Sequence, residues 1–116
     1  LNEIEGIELT GEKDVEKILS AMEMRFPRAS IVLTRGAKGV WFKNDREKIK
    51  VPARKVAAVD TTGAGDTFIG CFLADIMNAV DTETALETAC KAAALCVTKP
   101  GAADSIPRRS EVVRMR

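Results

Sequence analysis

Chemistry in this sequence concentrates in Gly63-Ala64-Gly65-Asp66. Small residues let a backbone approach an anion closely, and the amides at a helix start point outward without intrahelical partners. The helix dipole adds partial positive charge at that end. Such a turn suits a phosphoryl group whose charge grows during transfer, where one well-aimed donor is typically worth about 3–4 kcal/mol in the transition state. Asp66 falls in the first turn beside that anion site, placed to take a proton from an attacking hydroxyl. General-base catalysis of this kind typically contributes roughly 10²–10⁴-fold. Taken alone, the four residues also read as a tight strand-to-helix turn with Asp66 as a favoured cap. Two other phosphate motifs fail on spacing. No lysine follows these glycines as a P-loop requires, and the third glycine of a dinucleotide fingerprint is replaced by Phe68.

Composition narrows the chemistry further. The 116 residues include no histidine and no tyrosine. Ser-His-Asp and Cys-His catalysis are thereby excluded, and a general base must be a carboxylate, a lysine or a cysteine. Cys71, Cys90 and Cys96 form no CxxC pair, so they read as buried reduced thiols rather than zinc ligands. Eighteen basic residues against seventeen acidic ones leave a net charge of +1, which argues against a nucleic-acid or membrane-surface binder. Arg108, Arg109, Arg114 and Arg116 are interrupted by Glu111 and read as a solvated helix face. No stretch is long and apolar enough for a transmembrane helix and no signal-peptide pattern opens the chain, so a cytoplasmic setting is expected. The opening at Leu1, without a methionine, reads as a fragment, a processed product or a trimmed chain.

The glycine turn needs elements to hold it. Asn2 is placed to cap a helix over Glu3 to Leu9, stopping at Thr10-Gly11. A second helix from about Asp14 to Arg25 carries Val15, Ile18, Leu19 and Met22 on one face and ends at Pro27. Residues 29–34 read as a buried strand, 35–39 as a turn, and Val40 to Phe42 as the return strand of a hairpin. After a polar turn, Lys48 to Val51 and Val56 to Val59 read as two more short strands. A helix from Asp66 to about Ala79 has Phe68, Ile69, Phe72, Leu73 and Ile76 as its apolar side. Asp81 or Thr82 caps the next, which runs to about Thr98 and is rich in alanine for close packing. Pro100-Gly101 breaks it, and a basic helix begins near Pro107. With hydrophobic residues at 46% and aromatics at 4%, the core is aliphatic. The order suits one end of an α/β, three-layer αβα sandwich better than a complete fold.

Val59-Asp60-Thr61-Thr62-Gly63-Ala64-Gly65-Asp66-Thr67-Phe68 resembles, residue for residue, the C-terminal signature of the ribokinase (PfkB-type carbohydrate kinase) family. The resemblance implies the C-terminal, ATP-binding and catalytic part of a ribokinase-like domain, without the N-terminal part that supplies the sugar site and lid. It implies Asp66 as the base acting on the sugar hydroxyl, and Gly63, Ala64 and Gly65 as an anion hole. Asn2 and Glu5 match the family's NxxE motif and would organise magnesium and its water around the nucleotide phosphates. Thr34, Gly36 and Lys38 match a strand-end turn bordering ATP, and Cys90 stands where many relatives carry an Asn or His near the adenine. Asp60, Thr62, Cys96, Lys99, Gly101 and Ser105 match a monovalent-cation site in which potassium is held mostly by main-chain carbonyls.

The expectation is therefore an ATP-dependent phosphotransferase acting on a primary hydroxyl of a small sugar, ribose first. Fructose, a keto-deoxy sugar acid or a nucleoside are alternative acceptors. A non-catalytic nucleotide-binding fragment is the rival of a different class, and strand edges left unpaired in such a fragment invite a homodimer.

Overall fold

The computed structural model describes residues 1–56, Val59, residues 63–98 and Val112. The chain divides into two units, Leu1–Lys50 and Val51–Arg116. In the first, α1 (Glu3–Thr10) begins at Asn2, whose side chain accepts from the Glu5 amide at 2.8 Å while Glu5 Oε1 accepts from the Asn2 amide at 2.9 Å. This reciprocal capping box satisfies two orphan donors at once. Gly11, at φ 74°, ends the helix in the left-handed conformation that glycine adopts without strain. Asp14 caps α2 (Val15–Arg25) by accepting from the Lys17 amide at 3.2 Å.

Strand β1 (Ile31–Thr34) pairs antiparallel with β2 (Val40–Lys43), from Ile31 opposite Lys43 to Thr34 opposite Val40. A 3-10 turn over Gly36–Lys38 joins them, and β3 (Lys48–Val51) completes a sheet of order β1-β2-β3. Ile18, Leu19 and Met22 of α2 cluster with Ile31 and Leu33 of β1, and Leu1, Val15 and Trp41 pack against them. A methyl group on Gly6 would lie 2.8 Å from Ile18 Cγ2, so glycine permits the close approach of α1 to α2. Charge adds latches outside the core. Lys43 pairs with Glu23, Lys48 with Glu16, and Lys50 lies 3.8 Å from the centre of the Trp41 ring. The hydrogen bond from Lys48 holds the Glu16 carboxyl below its ordinary range.

In the second unit, α3 (Ala64–Met77) packs on α4 (Thr82–Val97). Asp81 caps α4 through the Thr84 amide at 3.0 Å, which decides between the two expected caps. Ala85, Ala89, Ala92 and Ala94 are buried along α4 with Leu86, and their small volume allows the close packing the sequence anticipated.

Several boundaries differ from the sequence reading. β1 starts at Ile31 rather than 29, and α3 starts at Ala64 rather than Asp66, because Gly63 at φ 82° turns the chain into the helix earlier. The helix stops at Met77 as Ala79 adopts φ 60°. Val56 and Val59, the described ends of an expected strand, carry no strand. The apolar side of α3 is also only partly buried: Phe68 is covered, whereas Ile69 and Leu73 are each 51% exposed. Of the basic helix expected near Pro107, only Val112 falls among the described residues, helical and buried. Among the described residues, no helix is long and apolar enough to cross a membrane.

Candidate functional site

Each unit carries its own group of candidate residues. In the first, residues at the start of α1 meet the end of β1. Asn2 forms a parallel β-bridge with Thr34. The Thr34 amide donates to Leu1 O at 2.8 Å, and the Thr34 hydroxyl donates to the same oxygen at 3.4 Å. Arg35 Nε is paired with Glu3 Oε1 at 2.7 Å, which fixes the start of α1 against the turn that follows β1. These partners are 32 residues apart and no sequence spacing announces them. Thus Asn2 and Thr34, expected from unrelated motifs, are brought side by side. Gly36 follows at φ 55° with open space where a side chain would stand, and Lys38 is exposed. The capping box engages Glu5 Oε1 only, so a carboxylate oxygen remains for an outside group.

In the second unit, α3 begins differently from its neighbours. Its cap is Gly63, with no side-chain acceptor, and the first intrahelical bond runs from the Thr67 amide to Gly63 O at 2.9 Å. The amides of Ala64, Gly65 and Asp66 precede that bond, which is the arrangement that makes a helix start an anion site. A methyl group built on Gly65 meets nothing within 4 Å, so packing does not account for glycine there. Asp66 is exposed in the first turn. Amides that precede the first intrahelical bond and an exposed carboxylate thus share one helix start.

Cys90 is buried on α4. Burial first, then the Glu87 carboxylate, pushes its thiol up to about 11 against the opposing pull of Arg54. At neutral pH it is an uncharged thiol that can line an apolar wall but makes a poor polar contact to a base. Cys96 is buried and Cys71 half-buried, and none of the three is in a disulfide. Of the expected cation-site residues, Asp60, Thr62, Lys99, Gly101 and Ser105 lie outside the described residues, leaving Cys96. Thr67 is a residue that the sequence reading passed over. Its side chain is buried and its hydroxyl has no hydrogen-bond partner.

A family model described as pfkB family carbohydrate kinase matches residues 1–109. The chain belongs to this family. Ribokinase of Schizosaccharomyces pombe is 44% identical over 86 residues, which are 73% of this chain and 27% of that protein. Deoxyribokinase of Salmonella typhi is 46% identical over 79 residues, 67% of this chain and 26% of its own length. Among solved structures, Arabidopsis thaliana ribokinase complexed with ribose and ATP is 32% identical with a TM-score of 0.89, over 97% of this chain and 38% of that one. A fructokinase double mutant from Vibrio cholerae, in a form with fructose, ADP and potassium bound, is 30% identical with a TM-score of 0.87, over 97% and 38%. The pfkB chain therefore spans about a quarter of the length of these curated relatives. Its fold is that of a part of the ribokinase-like αβα sandwich, as the sequence led one to expect.

Proposed function

We propose that this pfkB chain is the ATP-handling, C-terminal part of a sugar kinase that transfers the γ-phosphoryl of ATP to a primary hydroxyl of a small sugar, ribose first. One observation carries the reading: α3 alone among the four described α-helices starts without a side-chain cap, and it does so where Gly65 is open and Asp66 exposed. Asp66 accepts the proton of the attacking hydroxyl. The amides of the 63–66 turn receive the transferring group through donors already in place, so that little reorganisation remains for the moment of reaction. Catalysis of phosphoryl transfer is mostly positioning and electrostatics of this kind.

Magnesium, bound with the nucleotide, would neutralise phosphate charge. The residues fit it at second hand, since magnesium keeps several waters and Glu5 retains a carboxylate oxygen outside its capping bond. Asn2 holds Glu5 in place through that cap. Thr34 and Gly36 border the nucleotide, and Cys90 offers the adenine an apolar surface. A monovalent cation, potassium, is proposed beside the turn through Asp60, Thr62, Cys96, Lys99, Gly101 and Ser105. A cytoplasmic setting, with ATP at hand, completes the reading.

A second reading is favoured by a specific observation. Ile69, Leu73 and Met77 of α3 are exposed, Met77 at 85%. On this reading the polypeptide by itself binds nucleotide without turning over sugar, and exposed surface of this kind favours association with a second copy. Intact mass, combined with ATP-dependent phosphorylation of ribose, deoxyribose and fructose with and without potassium, separates the two. Turnover that needs ATP and one of these sugars supports the kinase. Nucleotide binding without turnover at the mass of this chain supports the binding fragment, and neither activity defeats both.

A further inference from the structure

The ion pairs of the first unit differ in what they join. Lys43 with Glu23 and Lys48 with Glu16 tie α2 to β2 and β3, and none of these four residues adjoins a candidate residue. The pair of Glu3 with Arg35 joins the two elements that carry the candidates. Glu3 follows Asn2 and opens α1, whose capping box holds Glu5. Arg35 stands between Thr34 and Gly36 at the end of β1. Its backbone is anchored on the turn: its amide donates to Gly39 O at 2.8 Å, and its carbonyl accepts from the Lys38 amide at 3.0 Å. Its side chain donates from Nε to Glu3 Oε1 at 2.7 Å and lays the guanidinium 5.3 Å from the centre of the Trp41 ring. One planar cation thus meets a carboxylate and an aromatic ring at once, a task to which arginine is better suited than lysine.

A nucleotide and its magnesium arrive as one ligand. Residues that serve the metal and residues that border the nucleotide must therefore stand at a fixed separation to engage it together. Such separations are strict, since a misplacement of about 1 Å can cost roughly a hundredfold in rate. The main-chain ties to Thr34 reach Leu1 and Asn2, just before α1, whereas the Glu3–Arg35 pair grips the helix itself. We propose that Arg35 is a positioning residue for the magnesium-bound nucleotide. Through Glu3 it holds the start of α1, with Asn2 and Glu5, at the distance from the Thr34–Gly36 turn that lets one ligand engage both. This rests on the phosphotransferase reading and deepens it. Arg35 acts through Glu3 and not on the ligand.

The gain in nucleotide affinity that magnesium brings isolates this role without turnover. Dissociation constants of a non-hydrolysable ATP analogue are measured by calorimetry, with magnesium and with a chelator. The proteins are the wild type, Arg35→Met, Glu3→Ala, the double variant, and Glu23→Ala as a control from another ion pair. Methionine keeps an unbranched apolar stem beside Trp41 and removes the cation, and alanine removes the Glu3 acceptor while favouring the helix. Each single variant at the Glu3–Arg35 pair should shrink the magnesium gain about fivefold, with affinity in chelator within about twofold of wild type. The double variant should lose no more than either single one, as partners in one pair do. Glu23→Ala should keep the wild-type gain. An unchanged gain in Arg35→Met and Glu3→Ala overturns this inference alone, even if both melt earlier, because the pair then only latches the fold. Equal losses with and without magnesium overturn it too, as do losses that multiply in the double variant or a matching loss in Glu23→Ala. If Arg35→Met fails to fold, Glu3→Ala decides by the same comparison. A wild type that gains nothing from magnesium overturns this inference together with the magnesium role of Asn2 and Glu5, and one that binds no nucleotide overturns the kinase reading as well.

Discussion

Helices α4 and α3 pack against each other and begin in opposite ways. α4 starts at Asp81, whose carboxylate accepts from the Thr84 amide, and Asn2 and Asp14 serve α1 and α2 in the same manner. α3 starts at a left-handed glycine with no acceptor. A side-chain cap of the usual type is worth about 1 kcal/mol, so the open start forgoes stability that the other three helices take. What it retains is a set of first-turn amides that the side chain of its cap residue does not take up. The same contrast appears at the carboxylates. Both are exposed, but Asp81 accepts from the Thr84 amide of its own helix, whereas Asp66 lies inside the first turn of a helix with no side-chain cap. Closed starts build the fold, and on the proposed function the open one receives a ligand.

The largest expected effect tests whether those two aspartates differ in kind. Asp66→Asn keeps the size and removes the proposed base, so turnover of the intact kinase should drop by roughly 10²-fold or more while its melting temperature stays within a degree or two. A matching loss of stability, measured by thermal melting, would return Asp66 to the class of ordinary caps and erase the contrast.

The next effect belongs to the closed region. Leu33 is fully buried in the cluster formed with Ile18, Leu19, Met22 and Ile31. Leu33→Ala should cost about 2–5 kcal/mol in denaturant unfolding, since the cavity cannot collapse against a strand held by its neighbours. Gly65→Ala inverts the pattern. Its new methyl meets nothing within 4 Å, and alanine favours helix over glycine, so stability should hold or rise by about 0.5–1 kcal/mol. On the proposed function the same methyl would stand where the anion approaches, and turnover should fall roughly 10- to 100-fold. A Gly65→Ala enzyme with full turnover would mean that the open space is not used.

Much of this contrast was legible in the sequence. Caps and helix faces could be read because they depend on neighbours three or four residues away. Asn2, Val15, Ile18, Leu19 and Met22 all took the places their spacing predicts, while Asp14, read as the first residue of its helix, caps it instead. The ten-residue match from Val59 to Phe68 pointed to the family that residues 1–109 match. Less legible was anything decided by distant contacts. The pairing of Glu3 with Arg35 and the bridge between Asn2 and Thr34 join positions more than thirty apart. Ile69 and Leu73 looked like core because they are apolar at helical spacing, but spacing does not say which apolar stripe of an apolar helix is covered. Thr67 was missed because a helical threonine normally satisfies itself, and only the positions of its neighbours reveal that this one does not.

The smallest effect sharpens the comparison from the closed side. Hydrogen bonds from the Thr84 amide, then from the Thr84 side chain, hold the Asp81 carboxyl below its ordinary value of 3.8. A carboxyl whose folded pKa is depressed contributes stability that is present above the unfolded pKa and is lost as pH falls through the folded one. Asp81→Ala should therefore lower the melting temperature by a few degrees at neutral pH, with turnover unchanged. The gap from wild type should narrow below about pH 4 as the wild-type carboxyl takes up its proton. Asp81→Asn, which can still cap, should lose only the charge-dependent part. Thermal melts across pH 2–7 read this directly, and a gap that stays constant to pH 2 would mean that Asp81 acts through shape and not through its charge.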